Sequence, residues 1–361
     1  KMAPVISELM GGFEVKICVT AQHREMLDQV LNLFSIKPDY DLSIMRERQN
    51  LFQVTANVLN GLNEIISKEQ PDLVLVHGDT TTSMAASMAA FYHQIEVGHV
   101  EAGLRTNNIY SPFPEEMNRQ LVSKIATLHF APTESSKENL VRENVKKENI
   151  YVTGNTVIDA LFMSLDKARA INIELTPLKN IRCLFDSSMS GSKIILVTGH
   201  RRENFGNGFK NICQAINDLA RDFKDVNIVY PVHLNPKVSD YVHETLSGIS
   251  NIHLIEPLDY LTFIRLLDAS HIVLTDSGGI QEEAPSLGKP VVVMREFTER
   301  PEAVEAGTVK VVGTNYKNIY ETTKMLITNE VIYDQMSKAH NPYGDGNASK
   351  RIASIINKRQ V

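Results

Sequence analysis

Short apolar runs alternate with helical patterns along this sequence, and they constrain its fold more than any other feature. The runs are rich in Val, Ile and Leu and are apolar on both sides, which is typical of parallel strands covered by helices on both faces. Segment 48–70 instead carries apolar residues at 51, 54, 58, 62, 65 and 66, a helical stripe. We therefore predict strands over 14–20, 72–78, 95–101, 127–132, 149–154, 193–199, 226–232, 251–257, 271–276, 289–295 and 309–313.

A polar, irregular stretch separates two series of such strands. The predicted class is α/β, with two Rossmann-like, doubly wound domains that face a cleft. The predicted boundaries are an N-terminal domain over 1–170, a linker over 171–192, a C-terminal domain over 193–345, and a helix over 346–361 that packs back on the N-terminal domain. Because the chain begins inside a helical pattern, KMAPVISELM, we also expect a first strand of that domain to be missing before Lys1.

Composition excludes several classes of protein. Hydrophobic residues make up 43% of the chain and charged residues 22%, as in globular proteins with buried cores. The net charge of -6 argues against nucleic-acid binding, and no apolar run approaches the ~20 residues of a membrane helix. The three scattered cysteines, Cys18, Cys183 and Cys213, favour a cytoplasmic protein without disulfides.

Carboxylates stand at or near the ends of two predicted strands. Asp79 ends PDLVLVHGD, Glu101 ends an apolar run, and Glu115 and Glu116 follow in SPFPEE. Asp79 alone suits a helix cap, and the paired glutamates suit a helix start. Since strand ends meet at one edge of a parallel sheet, the acids together indicate acid/base chemistry.

The stretch TDSGGIQEEAP has the pattern of a phosphate-binding turn. A strand ends before Ser277, Gly278 and Gly279, and a short helix follows. Glycines allow a close approach of backbone N–H groups to phosphate, and Glu283 is placed to accept hydrogen bonds from a ribose. The alternative is an ordinary capped strand-to-helix turn.

A basic group follows another strand in TGHRREN. His200, Arg201 and Arg202 would neutralise a diphosphate and assist its departure, whereas the alternative is surface pairing with Glu203. Arg300, in FTERPE, is a further candidate anion contact.

A metal site is not expected. The eleven histidines show no HxxH or HExxH spacing, and no GxGxxG or GxSxG motif is present. His77 and His99 share a strand side with their acids and are more often packing or supporting groups than ligands.

The motifs HGDTTTS, GHVEAGLRT, SPFPEE, GHRREN, PVHLNP and TDSGGIQEEAP occur in the order typical of one family. Together they resemble the non-hydrolysing UDP-N-acetylglucosamine 2-epimerases over essentially the whole chain. The resemblance implies the two-Rossmann (GT-B-like) fold, a cytoplasmic homodimer and no cofactor. The family also begins with a strand and a Gly-Arg-Pro loop whose arginine binds substrate, and this arginine has no position in the present numbering.

The resemblance assigns roles to residues by position. It implies that Phe263 and Leu258 lie near uracil, Ser277–Gly279 at the phosphates and Glu283 at the ribose. The implied catalytic residues are Asp79, Glu101, Glu115 and His200. The implied substrate contacts are Lys1, Leu258, Phe263, Ser277, Gly278, Gly279, Glu283 and Arg300.

The activity implied is reversible epimerisation of UDP-N-acetylglucosamine to UDP-N-acetylmannosamine through UDP and 2-acetamidoglucal, in supply of a surface polysaccharide. The rivals are a hydrolysing epimerase that releases N-acetylmannosamine, a glycosyltransferase with the same fold, and a non-catalytic UDP-sugar sensor.

A second polar set is not used by this chemistry. From spacing alone its members are loop caps or solvated surface residues. The resemblance implies instead that they bind a second UDP-N-acetylglucosamine as an activator. The members are Gln22, His23, Arg48, Glu115, Arg201 and His233.

Overall fold

Strands and helices alternate along the chain in the structure, a computed structural model that describes residues 1–22, 24–46, 49–185, 193–199, 201, 204 and 206–359. The strands are β1 Cys18–Val19, β2 Tyr40–Asp41, β3 Leu73–His77, β4 Glu96–Val100, β5 Leu128–Ala131, β6 Ile150–Val152, β7 Lys193–Thr198, β8 Val226–Pro231, β9 Ile252–Ile255, β10 Ile272–Thr275, β11 Val291–Val293 and β12 Val309–Val311.

The α-helices are α1 Met2–Leu9, α2 Arg24–Leu33, α3 Leu51–Glu69, α4 Thr81–Tyr92, α5 Glu115–Ile125, α6 Glu134–Arg142, α7 Thr156–Arg169, α8 Asn207–Asp222, α9 Pro236–Leu246, α10 Tyr260–Ala269, α11 Ile280–Ser286, α12 Pro301–Glu305, α13 Tyr316–Thr328, α14 Glu330–Ser337 and α15 Ala348–Arg359. Short 3-10 helices cover Lys147–Asn149, Ile173–Leu175 and Lys179–Phe185. Each predicted apolar run contains a strand, whereas β2 has no counterpart among the predictions.

The chain divides into two compact units. Unit 1 comprises residues 1–160 and 343–361, and unit 2 comprises 161–342. The segment proposed as a linker, 171–192, falls within unit 2 as far as residue 185, and its last part lies outside the described residues.

The sheets of unit 1 bring several strand ends to one edge. Among the described residues, a parallel sheet runs in the order β3-β4-β5-β6, and β1 and β2 form a separate parallel pair. His77 at the end of β3 is opposite Val100 at the end of β4, and Val100 is opposite Phe130 of β5. Loops that follow these strands therefore start side by side.

Helix α3 shows how the sequence pattern becomes a core. Asn50 and Gln53 form a reciprocal capping box at its start, and the left-handed Gln70 (φ 43°) ends it. Its buried residues recur every fourth position and contact the core that includes α4 and the sheet. Each buried side chain of this size contributes about 1.5–3 kcal/mol to folding. They are Val54, Val58, Leu62 and Ile66.

Helix α15 returns the end of the chain to unit 1, where it packs on α1. Its start is held by Asp159, whose carboxylate accepts hydrogen bonds from the backbone N–H groups of Ala348, at 3.2 Å, and Ser349, at 2.8 Å. The shared apolar cluster includes Val5, Leu9, Phe130, Ile352 and Ile356.

The sheet of unit 2 is parallel and runs, among the described residues, in the order β9-β8-β7-β10-β11-β12. This is the doubly wound Rossmann order. Successive strands are added toward one side of the sheet from β7 to β9 and toward the other side from β10 to β12, so the order reverses between β7 and β10. Thr198 and Thr275 end these two strands, and their hydroxyl oxygens lie 2.7 Å apart. Ligands of such sheets bind at this switch point, beyond the carboxyl ends of the strands.

Candidate active site

Glu101 follows β4 directly, and its side chain is only 8% exposed. Lys1 contacts Oε1, Asn155 donates its Nδ2–H to the same oxygen at 3.0 Å, and His77 Nε2 lies 3.0 Å from Oε2. Burial alone would raise the pKa of Glu101, but Lys1 and His77 lower this pKa well below its usual range. The site therefore holds an ionised carboxylate away from bulk water.

The backbone around this carboxylate is unusual. Glu101 has a left-handed φ of 64°, a conformation that costs about 1 kcal/mol or more in a non-glycine residue. The turn that follows β3 is fixed by Gly78, whose N–H donates to the Val100 carbonyl at 2.9 Å. The Gly78 carbonyl lies 2.8 Å from His99 Nε2. Burial lowers the pKa of His99 to about 3, so this ring is neutral and supports the turn.

Gly103 allows the chain to leave Glu101 in this conformation. Its φ is 92°, and a Cβ at this position would lie 2.2 Å from the Ser136 carbonyl oxygen. We expect Gly103→Ala to lower the free energy of unfolding by about 2–5 kcal/mol, since overpacking and backbone strain both act. Urea unfolding measures the change. Gly12→Ala, where a Cβ meets nothing within 4 Å, is the matched control, and equal stability of the two variants would contradict this account.

Asp79 lies two residues beyond β3 and is held from α5. Its carboxylate contacts the Arg119 guanidinium, and Asn118 donates its Nδ2–H to the Asp79 carbonyl at 2.9 Å. The cap of α4 is Thr80, whose hydroxyl accepts from the Ser83 N–H at 3.2 Å. Asp79 is thus not the helix cap that its sequence context also allowed.

The two glutamates of SPFPEE differ in their surroundings. Helix α5 begins at Glu115, whose half-buried carboxylate makes no hydrogen bond or ion pair with any described residue. The Glu116 side chain is fully buried, and it accepts from the Thr106 N–H at 3.0 Å and from Arg119 at 3.1 Å. Of the pair, Glu115 is therefore the one available to a ligand.

The glycine turn of unit 2 lies beside Arg300. The backbone N–H of Ser277 donates to the Thr275 hydroxyl at 2.9 Å, and Gly279 is the N-cap of α11. A Cβ on Gly278 would lie 3.8 Å from Nη2 of Arg300. The guanidinium of Arg300 is held by the buried Glu282. The glycine turn and a fixed cation thus lie together at the switch point of this sheet.

Glu283, which follows Glu282 on α11, is half-buried and accepts a hydrogen bond from the Tyr260 hydroxyl at 3.2 Å. Burial and the Glu283 charge raise the pKa of Tyr260, so the phenol stays protonated and donates. Leu258, in the loop before α10, and Phe263, on α10, are both half-buried near the carboxyl end of β9.

Three described members of the second polar set lie at strand ends of their own units. Gln22, after β1, accepts from the Thr82 hydroxyl at 3.5 Å. In unit 2, Arg201 N–H donates to the Asp276 carboxylate at 2.8 Å, and His233 Nδ1 accepts from the N–H two residues later at 3.0 Å. The other predicted site residues His23, Arg48 and His200 lie outside the described residues.

Several partners of these side chains were missed by the sequence reasoning. Arg119 carries a usable signal, because Glu116 and Arg119 are three positions apart on a helix and so share a face. Asn155, Tyr260 and Glu282 reach the site through tertiary packing alone, and no local pattern indicates them.

The described part of the chain contains no group of three His, Cys, Asp or Glu side chains arranged to hold a metal ion. None of its helices has the combination of length and apolarity that a bilayer crossing demands.

The sheets and strand-end sites define an α/β protein with two Rossmann-like units of the GT-B-like class, as predicted from the sequence. The family model described as UDP-N-acetylglucosamine 2-epimerase matches residues 8–357. The chain belongs to this family.

Relatives that carry the name of this family are similar to the chain over nearly its whole length. A UDP-N-acetylglucosamine 2-epimerase of Yersinia pestis is 56% identical over 100% of this chain and 96% of the relative. The crystal structure of the Neisseria meningitidis UDP-GlcNAc 2-epimerase bound to UDP-GlcNAc is 54% identical, with a TM-score of 0.88 over 99% of this chain and 96% of that one. A Staphylococcus aureus protein solved with UDP is 46% identical, with a TM-score of 0.86 over 100% and 93%.

Proposed function

We propose that the protein inverts carbon 2 of the sugar in UDP-N-acetylglucosamine, giving UDP-N-acetylmannosamine, and catalyses the reverse reaction. The observation that carries this proposal is the buried, ionised Glu101, which lies at the same edge of the unit 1 sheet as Asp79. Membership of the family supports the same substrate, as does UDP-GlcNAc in the Neisseria meningitidis relative.

The chemistry explains why carboxylates are needed. The hydrogen on carbon 2 is not acidic, because no carbonyl adjoins it. When UDP leaves carbon 1 with the bonding electrons, positive charge develops there, and a base can remove the carbon 2 proton. The C–H electrons then form the double bond of 2-acetamidoglucal. Return of a proton to the opposite face and of UDP to carbon 1 gives the epimer, with no net oxidation.

Unit 1 supplies the proton transfers in this proposal. Inversion needs groups on both faces of the sugar, and the candidates are Asp79, Glu101 and Glu115. General acid/base groups of this kind typically contribute 10²–10⁴-fold to a rate. Lys1 contacts the Glu101 carboxylate, and we propose that it contacts the sugar as well.

Unit 2 holds the UDP. The backbone N–H groups of Gly278 and Gly279, the Ser277 hydroxyl and the Arg300 guanidinium suit the diphosphate. Glu283, fixed by Tyr260, accepts from the ribose, and Leu258 and Phe263 offer apolar surface to uracil. His200 remains the predicted group beside the leaving phosphate.

Product analysis tests this function. Purified protein is incubated with UDP-N-acetylglucosamine alone, and the products are followed by NMR. The proposal predicts a mixture of the two UDP-sugars that is also reached from UDP-N-acetylmannosamine. Free N-acetylmannosamine with stoichiometric UDP would indicate a hydrolysing enzyme. Reaction only with an added acceptor would indicate a glycosyltransferase.

We also propose that two copies associate through unit 1. Contacting helices α3, α4 and α5 and the loop before α5 expose large apolar side chains, and such surfaces mark association sites. The family resemblance, which implies a homodimer, supports the association of two copies. The exposed side chains include Phe52, Phe91, Tyr92, Tyr110 and Phe113.

For the dimer, we expect a double substitution, Phe91→Glu with Tyr92→Glu, to halve the mass in solution, because buried charges would oppose association. Light scattering coupled to size exclusion measures this mass. Leu175→Glu, at a leucine of unit 2 that is 85% exposed, is the control and should leave the mass unchanged. A double variant that keeps the parental mass would argue against this surface.

A second UDP-N-acetylglucosamine is proposed to act as an activator, with Gln22 and Glu115 among its contacts in unit 1. We expect pure UDP-N-acetylmannosamine to react with a lag that a trace of UDP-N-acetylglucosamine removes, since the two sites are coupled. Gln22→Ala should weaken this activation more than substrate binding. Reverse progress curves without a lag would contradict the proposal.

A further inference from the structure

Glu116 is a carboxylate without exposed surface, next to Glu115 in the first turn of α5. Its Oε2 accepts from the Thr106 N–H at 3.0 Å and from Arg119 Nη1 at 3.1 Å, and its Oε1 accepts from Gln120 Nε2 at 3.0 Å. Burial of an ionised carboxylate is costly unless donors of this kind satisfy it. Glu116 is therefore fully engaged with protein groups and is not available to a substrate.

Arg119 is shared between two carboxylates. Its Nη1 binds Glu116, its Nη2 binds Oδ2 of Asp79, and its side chain is only 12% exposed. A guanidinium is a planar fork, so fixing one end on Glu116 sets the direction of the other. Oδ1 of Asp79 makes no hydrogen bond with any described residue, which leaves this oxygen for a substrate proton.

We infer that Glu116 and Arg119 are positioning residues, which set the orientation of the Asp79 carboxylate for proton transfer. The inference rests on the proposed function, in which Asp79 is an acid/base group. Glu116 fixes the guanidinium, and the guanidinium fixes one oxygen of Asp79.

The same buried charge ties Asp79 to the other acids. Through the Thr106 N–H, Glu116 anchors the segment that follows Glu101, and Glu115 precedes it on the first turn of α5. The two glutamates of SPFPEE thus have different roles. Glu115 is open to a ligand, and Glu116 fixes the geometry around Glu115.

A double-mutant cycle tests the inference. Arg119→Lys keeps the charge but loses the fork, and Glu116→Gln keeps the shape but loses the charge. Each is expected to lower kcat for epimerisation by about 10- to 100-fold, the scale of a misplaced catalytic group, with KM nearly unchanged. In an Asp79→Asn background the same changes are expected to cost less than about twofold, because residues that act through one group are not additive.

The controls are Glu138→Gln and Arg142→Lys, at an exposed pair on α6 whose charged groups lie 3.3 Å apart. Both should keep the parental kcat. Suppose that Asp79→Asn lowers kcat, and that Arg119→Lys and Glu116→Gln each lower it by their full factor again in the Asp79→Asn background. The positioning role is then wrong while the proposed function stands. If Arg119→Lys and Glu116→Gln lose thermal stability but keep the parental kcat, the positioning role is likewise wrong. If Asp79→Asn itself turns over at the parental rate, both assignments fail.

Discussion

Glu101→Gln is expected to lower kcat for epimerisation by about 10²- to 10⁴-fold, the contribution of a positioned acid/base group. Glutamine fills the same volume and can still accept the hydrogen bond from Asn155, but it cannot take up the proton of carbon 2. The rate is measured by NMR at saturating UDP-N-acetylglucosamine, far below the melting temperature. Binding of UDP, which the proposal places on unit 2, should change little.

Glu138→Gln is the matched control, because it makes the same chemical change at an exposed pair. Its kcat should equal that of the parent. A Glu101→Gln protein that turns over within a few-fold of the parent would remove Glu101 from the proton transfer.

The same variant gives a pH-dependent stability. Since the pKa of Glu101 in the folded chain lies below the ordinary value of 4.5, ionisation favours the folded state above that value. This contribution is lost as the pH falls from 4.5 through the folded-state pKa. The difference in free energy of unfolding between parent and Glu101→Gln should therefore be larger at pH 7 than at pH 4. Urea unfolding at the two pH values measures it, and a difference that grows at pH 4 would contradict the sign.

Asp79→Asn is expected to lower kcat by on the order of 10²-fold or more, for the same reason. Asparagine can still accept a hydrogen bond from Arg119 and so keep the local structure, but its amide transfers no proton. Single-turnover rates, with protein in excess over UDP-N-acetylglucosamine, separate this loss from any change in product release.

Asp334→Asn, at an exposed aspartate of unit 2 paired with Lys338, is the control for this change and should behave as the parent does. Parental single-turnover rates in Asp79→Asn would leave Asp79 with a structural role beside Arg119.

The sheets could be predicted because buried parallel strands appear as uninterrupted apolar runs, as in Lys193–Thr198 or Ile272–Thr275. Strand β2, Tyr40–Asp41, could not, because two residues with one acid among them have no periodic pattern. The helix stripe of 48–70 was predicted correctly, and Asn50 with Gln53 sets its start.

Within the site, strand ends fixed where the acids lie but not what holds them. Residues 1, 101 and 155 meet at one carboxylate, and this convergence depends on tertiary packing that no sequence spacing encodes. Glu115 and Glu116 are equivalent in the sequence, and only burial separates the open acid from the anchored one. The roles assigned to the substrate contacts remain predictions that rest on the family resemblance.

Incubation with UDP-N-acetylglucosamine in heavy water tests the central claim, that unit 1 carboxylates remove and return the carbon 2 proton, most directly. The account predicts that UDP-N-acetylmannosamine forms with deuterium from solvent at carbon 2. Recovered UDP-N-acetylglucosamine should also acquire deuterium there, and Glu101→Gln should suppress both. An epimer that keeps the original hydrogen at carbon 2 would contradict proton transfer through these acids.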